Sequence, residues 1–361
     1  MTARVSSSTF ALASLGPAIL LVIGAYAGGI YAYLGLLGIT ALVLMADKSG
    51  LAAASTPRQG YWLPRLVGLS HFAVLAAGVW AIGLNARLDL AEKAALFLGM
   101  GLYLGQVSNA CAHELIHRNN RSLRALGTAI YCSLLNGQHV SAHMLVHHVH
   151  AGTARDPNSA PLGQGFWRFF SRVVVREFRE GLLAENKRRQ THASGLHPYA
   201  IYISGAFLSL GVAYLLSGFA GLLVLLGLSA HAQMQLMLSD YLQHYGLRRQ
   251  TDENGRTEPM GPHHSWNAPH AYSAALMLNA PLHSDHHMNP ARPFPDLRYD
   301  AEAMPTLPRS VPVMGAIALI PPWWRKVMDP RVREYQPVDA AHHGNVIRNA
   351  TPAPVPKTSN L

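Results

Sequence analysis

His113-Glu114-Leu115-Ile116-His117 and His143-Met144-Leu145-Val146-His147-His148 are the two runs on which the chain turns. Side chains four apart on a helix share one face, with Cβ atoms about 5–6 Å apart. The first run therefore brings two imidazoles together, and the second brings three. A buried imidazole is costly unless its nitrogens find partners, and a metal ion supplies that partner. Imidazole suits Fe, Cu, Zn and Ni. Tyr241-Leu242-Gln243-His244-Tyr245-Gly246 adds one histidine, and His283-Ser284-Asp285-His286-His287 adds three at i, i+3 and i+4. Two, three, one and three make nine, too many for one ion with an open position and right for two. A di-metal site built mainly of imidazole, in a chain this apolar, points to non-haem iron handling dioxygen.

Of the 361 residues, 50% are hydrophobic and 13% charged, where soluble domains carry about 25% charge. Mean hydropathy is positive, at +0.12. The expected class is an all-α polytopic membrane protein. Cys111 and Cys132 form no CxxC pattern, which excludes a rubredoxin-type or ferredoxin-type site and a disulfide framework within this chain. Electrons must then come from a separate protein. The formal charge of +10 reads as positive-inside topology and contact with anionic lipid. No recognition motif for nucleic acid accompanies it.

Six apolar segments are expected to span the bilayer: residues 10–27 and 30–46, joined by Gly28-Gly29, then 66–84, 94–111, 199–216 and 219–238, the last two split by Ser217-Gly218. Each is near the length that crosses a hydrocarbon core. The chain divides accordingly into spans one to four (1–111), a histidine region (112–198), spans five and six (199–240), a second histidine region (241–335) and a polar, disordered tail (336–361). Within the first histidine region, 124–135 reads as a re-entrant or interfacial helix. Residues 166–189 read as a basic amphipathic helix at the membrane surface. Residues 311–324 are too short to cross, and their tryptophans suit an interface. Lys and Arg sit in the N-terminus, the 48–65 loop and the two histidine regions, so these parts and both termini are expected on the cytoplasmic side of a bacterial inner membrane. His113 and His244 follow the cytoplasmic ends of spans four and six, so all nine rings can meet at one membrane face.

At these residues the sequence resembles the membrane alkane 1-monooxygenases, within the wider fatty acid desaturase and hydroxylase group. The likeness covers roughly residues 10–335. It is densest at His113 to Arg118, at His143 to Ala160 with Asp156-Pro157, and at Tyr241 to Leu247. It continues at His264-Ser265-Trp266-Asn267, His283 to His287, Pro290-Ala291-Arg292 and Trp324 to Val332. The resemblance implies two iron ions ligated by His113, His117, His143, His147, His148, His244, His283, His286 and His287. It also implies hydroxylation of a terminal methyl group of a medium-chain alkane, with O2 and with electrons from rubredoxin and its reductase. The chain departs from the family pattern in Ala142 and Gln243, where Glu is usual, in Val146, where Gly is usual, and in Asp240, where Asn is usual.

Ligating imidazoles usually donate their other N–H to an acceptor. Glu114, Asp156, Asp240 and Asp285 are the candidates, each with an ordinary cap or salt bridge as the plainer reading. His139, His150, His263, His264 and His270 read as neighbours of the site. His71 and His231 fall within spans. Gly101 and Gly105 read as helix-packing positions. Two other functions remain open: a desaturase or a hydroxylase of an aromatic or terpenoid methyl on the same scaffold, and, more remotely, a zinc protease read from the HExxH of His113 to His117. The protease needs only three protein ligands and an open position and leaves the other runs unexplained.

Overall fold

The computed structural model describes residues 7–49, 62–191 and 195–336. The expectations for Arg4, most of the 48–65 loop, His192, His342, His343 and the tail from 337 onward lie outside the described residues. Those described are almost wholly helical, with two isolated bridges and no strand.

α1 (Ser7–Ala27) and α2 (Ile30–Ile39) form a tight hairpin. Gly28 and Gly29 turn it at φ +63° and +58°, values at which a side chain is strained. α2 is broken at Thr40 and continues as α3 (Ala41–Ser49) at a bend of 41°. α4 (Leu63–Gly83) follows. α5 (Leu90–Tyr103), a π-helical turn at Leu104–Ser108 and α6 (Asn109–Ile116) make one 27-residue rod. The rod starts at a capping box, where Asp89 accepts from the Glu92 N–H at 2.8 Å and the Asp89 N–H donates to Glu92 at 2.7 Å.

α11 (Pro198–Gln243) holds 46 residues but is not one rod. Ser217 and Gly218 leave helical geometry, Gly218 at φ +59°. A Cβ on Gly221 would lie 2.2 Å from the Ala213 carbonyl oxygen. Eight residues along a straight helix cover about 12 Å, so the chain doubles back here. Four helices are long and apolar enough to cross a membrane, or five with α2–α3 taken as one broken span. The reversal inside α11 divides one of them into the two segments expected from sequence.

The remaining elements cover one end of this bundle. α7 (Arg121–Ser133) is capped by Asn120, whose Oδ1 accepts from the Ser122 and Leu123 N–H groups at 2.9 and 3.2 Å. It is an amphipathic helix lying on α6, where Gly127 meets the Ala112 carbonyl. α8 (His139–Ala142), a second π-helical turn at His143–His147 and α9 (His148–His150) form a short continuous helix. α10 (Phe166–Thr191) crosses beside it. α12 (Ala271–Leu276), α13 (His283–Met288), α14 (Val311–Ala318) and α15 (Pro321–Tyr335) complete the chain.

Two expectations need correction. Trp324 is fully buried, its ring 5.2 Å from both Tyr241 and Tyr245, and only its neighbour Trp323 is exposed. α10 is basic on its outer side, but its inner stripe buries Glu177 and Glu185 along with Phe166, Phe169 and Val173. An apolar-plus-basic reading of that helix missed the carboxylates because they sit at i and i+8, on the apolar stripe.

Gly246 fixes the turn that follows His244. Its φ is +75°, a Cβ there would lie 2.6 Å from Val332 Cγ1, and its N–H donates to the Ala160 carbonyl at 2.9 Å. Gly246→Ala is expected to cost about 1–3 kcal/mol, read as a lower thermal midpoint with earlier loss of bound metal.

Candidate metal centre

The nine imidazoles predicted from sequence meet in two adjoining groups. The first holds His113, His117, His143, His148 and His286, and the second His147, His244, His283 and His287. In each, the ligand atoms lie within 4.8 Å of one another. The second histidine run feeds both groups. The π-helical turn over His143–His147 fits this, because its i→i+5 bonding brings His148 under His143 into the first group and leaves His147 to the second. α6 ends at Ile116, so His117 stands at its C-terminus, and Asn120 starts the next helix. α13 is a turn and a half long and presents His283 and His287 to one group and His286 to the other.

The contacting atoms are Nε2 on every ring for which a close approach is defined. His117–His143, His143–His148 and His148–His286 are 3.1, 2.9 and 3.2 Å apart. His244–His283, His283–His287 and His244–His287 are 2.9, 3.0 and 3.2 Å apart. Three nitrogens in such a triangle cannot all be satisfied by protons, since each N–H points at one partner. A cation at their focus satisfies all three. At a metal–nitrogen bond length of about 2.1 Å, nitrogens this far apart would all be within reach of one ion.

Electrostatics keeps these rings in the ligand form. Burial, reinforced by the neighbouring imidazoles, holds His143, His148, His283, His286 and His287 well below the usual histidine range, and hence neutral. Metal binding requires that state. His147 differs. Burial opposes its protonation, but the Asp156 carboxylate outweighs this and raises its pKa. Burial would raise Asp156 in turn; the charge and N–H of His147 and donors from Ser159 and Asn158 hold it below its ordinary value.

Of the four acids expected to orient imidazoles, Asp156 alone touches one of the nine rings, at 3.0 Å from His147 Nδ1. It also accepts from Ser159 Oγ at 2.6 Å and from the Asn158 N–H at 3.1 Å. Asp240 is one step removed, accepting from Asn158 Nδ2 at 2.6 Å. Glu114 pairs with Arg118 at 3.2 Å and accepts from the Phe294 N–H. Asp285 faces away from the rings. It binds Arg292, Asn289 and the Arg298 N–H, pinning the loop after α13. The three histidines of α13 point to the two groups while Asp285 points outward, which the helical period dictates and the spacing of the histidines conceals.

Sequence reasoning named His139 as a neighbour of the site but missed its acid, Glu177. His139 lies against His143, with centroids 5.2 Å apart, and its Nδ1 donates to Glu177. Ser141 Oγ donates to Glu185 at 2.8 Å. Gly181, midway between the two glutamates, lies 3.1 Å from Ala142 through an added Cβ. A glutamate at 142 would collide with α10. The small Ala142 thus lets α10 approach, and α10 delivers carboxylates of its own. The recurrence Glu177-x3-Gly181-x3-Glu185 was the available signal. His264 is a loop strut, with Nδ1 accepting from the Gly261 N–H at 2.8 Å and Nε2 facing Glu258 at 3.0 Å. His71 is buried against Ser133 at 2.7 Å.

A cavity of about 420 Å³ opens onto both groups. His113 and His143 of the first and His283 of the second line it, together with apolar side chains of α2, α5, α11 and α14, such as Ile39, Leu102, Leu236 and Val313. On the far side of the centre, Met144 and Val149 face outward, 37% and 54% exposed, from the helix whose inner face carries His143, His147 and His148.

Residues 90–318 match the fatty acid desaturase family model. The alkane 1-monooxygenase of Pseudomonas putida is 32% identical over 73% of this chain and 65% of its own length. The alkane 1-monooxygenase 2 of Pseudomonas aeruginosa is 31% identical over 77% and 75%, and that of Alcanivorax borkumensis 32% over 70% and 67%. The chain thus spans just under two thirds of the first of these relatives and up to three quarters of the others. An apolar helical bundle, a histidine-lined centre at its end and this similarity agree: the chain belongs to the alkane 1-monooxygenase family of membrane oxidoreductases, within the fatty acid desaturases.

Proposed function

We propose that the nine histidines hold two iron ions and that the chain hydroxylates the terminal methyl group of a medium-chain alkane or similar apolar chain. The observation that carries this reading is the apolar cavity whose lining includes rings of both groups. A methyl group delivered there meets the centre with no intervening side chain. When bound, the ions supply the reductive activation of dioxygen that an unactivated C–H bond demands. The balance is one alkane, one O2, two electrons and two protons giving one primary alcohol and one water. Five histidines in one group exceed the three of a zinc hydrolase, and imidazole suits iron.

The protein's own residues do the rest. Asp156 takes the outer N–H of His147 and so leaves its Nε2 lone pair facing inward. Burial keeps the other rings neutral. The cavity walls exclude water and align the chain end-on. The two free cysteines form no CxxC pattern, which supports an outside donor, and in this reading the donor is rubredoxin, acting at the cytoplasmic face that the basic segments favour. Residues 1–111 and 199–240 then form the membrane part and 112–198 with 241–335 the catalytic cap, one functional unit.

The test is product analysis. Purified protein, loaded with iron and supplied with rubredoxin and its reductase, is given alkanes of graded length. A primary alcohol with uptake of one oxygen atom from O2 is expected. An alkene as sole product, or full activity with zinc and no reductant, would overturn the reading.

A further inference from the structure

We propose that the cavity is built for an apolar chain that carries a hydroxyl group, held by the carboxamides of Gln106 and Gln235, with its free end at the metal centre. This rests on the hydroxylation reading and narrows its substrate. Both glutamines line the cavity, and neither makes a hydrogen bond among the described residues. Gln106 Oε1 is buried with no partner. The two stand at one level: a Cβ on Gly105, next to Gln106, would lie 2.5 Å from Gln235 Cβ.

The other polar residues of the wall are engaged. Asn109 Nδ2 donates to the Gly105 and Ala232 carbonyls, Thr40 Oγ1 to the Leu36 carbonyl, and Gln243 Nε2 to the Ala280 carbonyl. A pure alkane would leave the two glutamines unpaired in an apolar tube, which is costly. Polar groups within membrane spans are rare and mark function. Gln106 also lies in the π-helical turn of Leu104–Ser108, a distortion that concentrates at functional sites.

The chemistry of the pair selects the group. An amide offers one acceptor and two donors. A hydroxyl donates and accepts, so it satisfies the pair whichever way either amide is turned. The level is also productive. Gln106 is seven residues before His113, about 10 Å along the helix axis, so a chain gripped at its hydroxyl reaches the rings with its methyl end. The reaction is that of the proposed function applied to an alcohol: alkanol, O2, two donor electrons and two protons give a diol and water.

The experiment uses the full chain in lipid nanodiscs, iron-loaded, with rubredoxin and its reductase. Alkanes and 1-alkanols of equal length compete, and the ratio of their kcat/KM values is measured. Equilibrium retention of radiolabelled 1-alkanol on the nanodiscs is measured separately, without turnover. The unsubstituted chain is expected to prefer the alkanol by about tenfold and to retain it. Gln106→Met and Gln235→Met, near-isosteric and apolar, are expected to bring the ratio close to one and abolish retention, with iron content per chain reporting their folding. Equal use of both substrates by the unsubstituted chain would overturn the proposal, as would a preference that survives both substitutions in iron-replete variants. Retention that is lost in the variants, with no oxygenated product from either substrate, would overturn the hydroxylation reading but uphold the hydroxyl site.

Discussion

Replacing His287 with alanine should remove about half of the bound metal and reduce hydroxylation by more than the roughly 100-fold that the loss of an outer partner costs. His287 Nε2 lies 3.0 and 3.2 Å from those of His283 and His244. It therefore closes the smaller group, which has four rings and no spare. The larger group keeps its five. Metal analysis and product yield together check this. His197→Ala, outside every group of side chains that could hold a metal, should change neither. Full metal content in the His287 variant would show that the four rings do not form one site.

The second large effect is expected at Asp156. Its side chain is fully buried and serves three donors: His147 Nδ1, Ser159 Oγ and the Asn158 N–H. Asp156→Ala orphans all three at about 1–3 kcal/mol each and frees His147 to turn. Metal affinity should fall about 10–100-fold, measured by chelator competition, along with the thermal midpoint. Asp156→Asn keeps an acceptor for the His147 N–H and loses only the charge, so it should fall between. If both variants held metal as tightly as the unsubstituted chain, His147 would not need its carboxylate.

How far the sequence could be read depends on whether a feature is local. The nine rings were legible because i, i+4 spacing fixes a shared face whatever surrounds it. The hairpins were legible at Gly28-Gly29 and Ser217-Gly218, where only the reversal makes sense of two apolar runs in succession. The partition of the rings was not. It depends on a π-helical turn at His143–His147, and nothing in the composition of that run marks a shift from four residues to five. Asp285 was misplaced for a related reason: adjacency to ligands in sequence says little about direction on a helix. Glu177 and Glu185 were hidden because their partners, His139 and Ser141, lie 38 and 44 positions away. Gln106 and Gln235 gave no sign of sharing a level, since that depends on how the π-helical turn of Leu104–Ser108 and α11 lie against each other at Gly105.

Met144 and Val149 look outward from the very helix whose opposite side supplies rings to both groups. One helix therefore separates the two groups of rings from the outer face at Met144 and Val149. Under the function proposed above, an electron donor docked on this face would be one turn of helix from the rings. The same thinness leaves the catalyst poorly insulated. A sulfur atom at Met144 stands at that boundary, where stray oxidants produced by a misfired turnover would meet it first.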